Sequence, residues 1–251
     1  MPYRDEEALV SASGHDRPFV LRTPEALAAR PGLLIYFSLS TRHALDELPY
    51  ATVPRLFGAA GHYVASFDLP QHGRWTNAYG EGLTGMANAV AAGHDVFADV
   101  AAMGRAVVDA CLARQVGAAG GIAVAGASRG ALCALHLLAA DPRIAAGAGF
   151  APVTDLPTLT EFAALRDSPI VQRANALALA PRLADRPVWL AIKEHDARVG
   201  TAQCRAFFAA LHAAAPPGVP QELRIEPGDT HTMSDESYQA GGAWLLARLA
   251  A

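Results

Sequence analysis

The sequence predicts an α/β fold with a mostly parallel central sheet and helices on both faces. Three observations carry that expectation. Short apolar runs such as Leu33-Leu34-Ile35-Tyr36-Phe37 have the length and side chains of strands buried on both sides. Stretches with apolar residues at three- and four-residue steps separate them, as crossover helices do. No repeat or low-complexity linker divides the 251 residues, so they read as one domain spanning 1–251.

Taken in order, residues 18–21 form a short strand, followed by a polar connection that leads to the strand at 33–37. Residues 45–57 are partly helical, with restarts at Pro49 and Pro54. Residues 63–68 give another strand, 69–75 an ordered loop, and 80–85 a glycine-rich irregular segment. Val96, Phe97, Val100, Gly104, Val107, Val108, Cys111 and Leu112 then make one apolar stripe along a long helix. A strand ends at Gly126, and an Ala- and Leu-rich helix runs from Gly130 to about Asp141. Strands follow at 144–150, 187–192 and 222–226, with a helix at 201–215 and an amphipathic helix closing the chain. Residues 156–185 read as a helical insertion, short enough to be a lid rather than a folded cap.

The chemistry concentrates on Gly126-Ala127-Ser128-Arg129-Gly130, a G-x-S-x-G between a strand and a helix. That context predicts a sharp, strained turn with the serine at its apex and backbone N–H groups facing any charge that develops beside it. In a parallel sheet, sites gather beyond the carboxyl ends of the strands. There the chain offers Lys193-Glu194-His195-Asp196-Ala197-Arg198-Val199, and later Asp229-Thr230-His231. The order serine, acid, histidine suits a hydrolase in which the imidazole takes the serine proton and the carboxylate orients the imidazole. Glu194 competes with Asp196 for the acid, and Asp155 is a more distant rival.

These motifs resemble the α/β-hydrolase superfamily over nearly the whole chain, and among its members the small esterases of the dienelactone-hydrolase and prolyl-oligopeptidase-like type. Asp68-Leu69-Pro70-Gln71-His72-Gly73 resembles the family's D-x-P-x-H-G loop, G-A-S-R-G its nucleophile elbow, and the 193–199 segment its G-x-x-D-x-x-V, with Lys193 in place of the glycine. The resemblance implies Ser128 as nucleophile, Asp196 as acid and His231 as base. It also implies an oxyanion hole built from the Leu39 and Arg129 N–H groups, although Phe37-Ser38 stands where many relatives carry His-Gly. Ser38, Trp75 and Phe162 are the expected substrate contacts. Arg129 either meets a substrate carboxylate or pairs with Glu161 or Asp155, the second being the reading preferred. The resemblance implies that His72 orders its loop, and Asp68 is expected to bond loop N–H groups rather than substrate.

The expected activity is serine-dependent cleavage of carboxylic esters through an acyl-enzyme. Amide, peptide or thioester hydrolysis and acyl transfer are alternatives on the same triad, and an inactive binding protein on this fold is a third reading. A prolyl-oligopeptidase would carry a propeller domain, for which 251 residues leave no room. The net charge of −4 forms no basic stripe, which argues against a nucleic-acid partner. Cys111, Cys133 and Cys204 are an odd number, widely spaced, which argues against disulfides or a zinc site. No carboxylate or histidine cluster has metal-ligand spacing, and the glycines near Gly80 lack the context of a nucleotide loop, so neither metal nor cofactor is expected. With no apolar leader or membrane span in view, the expectation is a cytoplasmic enzyme acting on a small-molecule ester. The Ala-rich helical faces could support a homodimer.

Overall fold

The structure, a computed structural model, describes residues 3–249. Its eight strands form one open sheet in the order β1-β2-β4-β3-β5-β6-β7-β8. The strands are β1 (Tyr3–Ala12), β2 (His15–Pro24), β3 (Leu33–Phe37), β4 (Tyr63–Ser66), β5 (Ile122–Ala127), β6 (Ile144–Phe150), β7 (Val188–Lys193) and β8 (Gln221–Glu226). β1 pairs antiparallel with β2 and β2 antiparallel with β4, whereas every pairing from β4 through β8 is parallel.

Alternation along the strands splits the core into two layers. Leu33, Ile35 and Phe37 face one cluster, and Leu34 and Tyr36 face the other. The first layer is covered by α3 (Gly82–Ala91), α4 (Val96–Ala113), α5 (Arg129–Ala140), α7 (Ala176–Leu183) and α8 (Thr201–Ala214). The second is covered by α1 (Thr41–Asp46), α2 (Thr52–Ala59) and α9 (Asp235–Leu249). The stripe foreseen on α4 is buried along its length, from Val96 to Cys111.

Four expectations change. The polar N-terminal residues are a strand, because Ser13 and Gly14 both take positive φ (49° and 78°) and close a two-residue hairpin. At the sheet edge such a strand buries little, so Asp5, Glu6 and Glu7 are tolerated on it. The 80–85 segment is irregular only at its start, since α3 begins at Gly82. Of the two restarts expected in 45–57, the one at Pro49 falls in the turn between α1 and α2, whereas Pro54 lies in the first turn of α2, where a proline is tolerated. The 156–185 segment is not wholly a lid. Two 3-10 turns, Leu156–Thr158 and Thr160–Leu165, and the short α6 (Pro169–Ala174) lead into α7. α7 packs Leu179, Ala180 and Leu183 into the core against α5 and α8, as befits the crossover between the parallel strands β6 and β7.

Candidate active site

β5 drives straight into α5 through a single residue. Ser128 holds φ 56° and ψ −122°, a left-handed conformation that costs on the order of 1–3 kcal/mol for a residue with a side chain. Its N–H donates to the Phe150 carbonyl (2.8 Å), and its carbonyl accepts from Val153 N–H (3.2 Å), so the end of β6 and the segment just after it clamp the turn. The two glycines follow from crowding. A Cβ on Gly126 would stand 2.3 Å from the Gly130 oxygen, and one on Gly130 would stand 2.6 Å from the Phe37 oxygen.

Ser128 Oγ lies 2.8 Å from His231 Nε2, and His231 Nδ1 lies 2.9 Å from Asp196 Oδ2. The Asp196 side chain is fully buried, and its other oxygen accepts the N–H groups of Arg198 (2.9 Å) and Val199 (3.2 Å). An ionised carboxylate so placed accepts from Nδ1–H, which leaves the Nε2 lone pair for the serine proton. The arrangement can deprotonate a hydroxyl and stabilise the imidazolium that results.

The loops bearing acid and histidine are tied together. Glu194 N–H donates to the Glu226 carbonyl (2.8 Å) and His195 N–H to the Gly228 carbonyl (3.0 Å). Lys193 forms an ion pair with Glu226, whose carboxylate also accepts from Ser234 (2.9 Å) and Ser237 (2.6 Å). Burial alone would raise the Glu226 pKa, but the Lys193 ammonium and the two hydroxyls outweigh it and hold the group down to about 2. Thr201 Oγ1 closes the acid loop by donating to the Lys193 carbonyl (2.7 Å) and accepting from Asp196 N–H (3.0 Å).

The structure does not bring the rival acids to the serine. Glu194 and His195 point outward, 53% and 72% exposed. Asp155 bonds Asn175 (2.9 Å) and Thr158 (3.1 Å). Three expected substrate contacts need correction. Phe162 has no exposed surface and fills the core. Trp75 is buried beneath Arg17, whose guanidinium carbon sits 4.0 Å from the ring centroid, and it faces a cleft lined by Ser13, His15 and Arg17 rather than by the triad. Ser38 is buried, and its Oγ is held 2.8 Å from His43 Nδ1. An aromatic beside a core strand has the same sequence signature whichever way it points.

Asp68 accepts the N–H groups of Thr41 and Arg74, both at 2.8 Å, and so fixes the loop after β4. The preferred pairing of Arg129 with Glu161 or Asp155 is also corrected. Glu161 pairs with Arg198 (2.8 Å), and Arg129 Nη1 instead meets His72 Nε2 at 2.8 Å. Among the described residues, no group of His, Cys, Asp and Glu side chains is arranged to hold a metal, and no helix is long and apolar enough to cross a membrane.

No protein-family model matches the chain, and no curated protein matches its sequence. Solved structures do. TT1662 from Thermus thermophilus is similar over 100% of both chains, with a TM-score of 0.72 and 21% identity. A cold-adapted esterase from an Arctic intertidal metagenomic library matches 98% of this chain and 94% of its own, with a TM-score of 0.73 and 20% identity. The Pyrococcus furiosus esterase Pf2001 matches over 98% and 93%, with a TM-score of 0.72 and 17% identity.

The chain has the α/β-hydrolase fold. Within that fold the departure at Lys193 has a local cause, since its ammonium is the partner of Glu226 and a glycine would leave that carboxylate without a cation. Among the described residues, the Leu39 and Arg129 N–H groups donate to no protein acceptor.

Proposed function

We propose that this protein is a serine hydrolase that cleaves carboxylic esters through an acyl-enzyme. One observation carries the reading: a hydroxyl, an imidazole and a buried carboxylate in a hydrogen-bonded row at 2.8 and 2.9 Å, with the hydroxyl on a strained strand-to-helix turn. Ser128 attacks the ester carbonyl while His231 takes its proton, and Asp196 stabilises the imidazolium. His231 then protonates the leaving alkoxide, and a water activated by the same imidazole releases the acid. The oxyanion is received by the N–H groups of Arg129 and Leu39, where each donor is worth roughly 10²–10³ in rate. The fold's likeness extends both to proteins described as esterases and to prolyl endopeptidases, so the choice of an ester rests on the test below.

The test is labelling by a fluorophosphonate together with release of p-nitrophenol from short acyl esters. Expected is one adduct on Ser128 and turnover that disappears in Ser128→Ala. Folded protein that neither labels nor hydrolyses any ester, thioester or anilide in a panel would refute the reading.

A further inference from the structure

Arg129 follows the nucleophile directly, and its side chain has an unusual set of partners. His72 Nδ1 lies 2.8 Å from the Pro70 carbonyl, which can only accept, so Nδ1 carries the proton. Nε2 therefore offers its lone pair to Arg129 Nη1, 2.8 Å away, and the imidazole is neutral. Burial, and then the charge of Arg129, hold the His72 pKa below its ordinary value. A neutral acceptor fixes a guanidinium in place without cancelling its charge, whereas a carboxylate would do both.

The nearby carboxylates are spoken for. Glu161 neutralises Arg198, Asp155 bonds Asn175 and Thr158, and Asp68 caps backbone N–H groups. Among the described residues Arg129 pairs with no carboxylate, and its Nε is buried without a hydrogen-bond partner. Burial, and next the neighbouring Arg198 charge, press its pKa below the usual arginine value. Glu161 pulls the other way without meeting the guanidinium, and a partly buried cation with no carboxylate in hydrogen-bond reach is costly to the fold. It is locked in orientation at the carboxyl end of the sheet, where a negative group would offset that cost.

We propose that Arg129 recognises a carboxylate carried by the substrate, so that the esters accepted are half-esters of short dicarboxylic acids or esters of hydroxy acids. Arg198 is already neutralised, so one net positive charge remains, which matches a carboxylate better than a doubly charged phosphate monoester. The planar fork suits a carboxylate as well. The inference rests on Ser128 as the nucleophile.

Two matched pairs test it and separate the two sides of the ester. Mono-p-nitrophenyl glutarate against p-nitrophenyl pentanoate places the charge on the acyl part. 4-Acetoxybenzoate against its methyl ester places it on the leaving group. Expected is a kcat/KM preference for the charged member of at least one pair by about tenfold or more, falling to within about twofold in Arg129→Met. The ratio is the readout, because the Arg129 N–H also serves the oxyanion.

Near-equal rates in both pairs, or a preference unchanged in Arg129→Met, would overturn the proposal. Should that variant not fold, wild type decides. Glutarate, but not glutaramide, must compete with the neutral ester and weaken as salt is added. Absence of that competition counts against a carboxylate site. If the folded protein neither labels with fluorophosphonate nor turns over any substrate of the panel, the hydrolase reading falls by itself, and glutarate binding by calorimetry still decides for or against the carboxylate site.

Discussion

Two serine–histidine pairs stand at the same distance in this molecule, and their surroundings differ in every respect that matters. Ser128 and His231 are 2.8 Å apart, as are Ser38 and His43. Behind His231 is Asp196, fully buried at 2.9 Å and held by two backbone N–H groups. Behind His43 is Glu47, 3.8 Å away and 48% exposed, on the same short helical segment. Ser128 sits at positive φ on a glycine-flanked turn, whereas Ser38 is buried just past the end of β3. A short O···N distance makes a hydrogen bond. A nucleophile also needs an oriented base, a charge-stabilising acid and open space in front of the hydroxyl.

Mutations on the two sides should separate by orders of magnitude. Ser128→Ala is expected to lower kcat by roughly 10⁶-fold, while Ser38→Ala keeps most of the activity, read as p-nitrophenol release. Equal losses would erase the distinction. Asp196→Asn should cost about 10⁴-fold in kcat by favouring the wrong tautomer, whereas Glu47→Gln should change it by less than about threefold. Steady-state rates on a saturating short ester distinguish them.

Smaller effects sharpen the comparison further. Gly126→Ala would force a methyl to within 2.3 Å of a backbone oxygen, so denaturant unfolding should show a loss of about 3 kcal/mol. Glu226 supplies a pH test. Its folded pKa of about 2 lies below the unfolded value near 4.3, so its contribution is present above pH 4.3 and is lost as pH falls toward 2. Glu226→Gln should flatten that acid limb of the stability curve and leave the Ser38 side unaffected. An acid limb identical to wild type would mean the Lys193 pair does not act on folding.

Much of this was legible because local pattern and tertiary role agree. The apolar run at β3, the stripe on α4 and the G-x-S-x-G between strand and helix each carry their own signature. The order of serine, acid and histidine then follows from which loops leave the same end of the sheet. The segments that stayed hidden are those whose role is set by distant partners. β1 is strand because β2 lies beside it, although Arg4, Asp5, Glu6 and Glu7 at its start are all charged. Trp75 and Phe162 are core because of what packs on them, and aromatic character alone cannot say which way they face. Arg129 meets a histidine 57 positions away in the chain, beyond the reach of any spacing rule.

Glu226 has one more implication. A single carboxylate binds Lys193 at the root of the acid loop and Ser234 and Ser237 just beyond the histidine loop, so the two loops are anchored to one point. Warming or acidification that frees that anchor would scatter the proton relay while the remainder of the sheet stays assembled. Inactivation would then run ahead of melting as a separate event, seated at the β7–β8 edge.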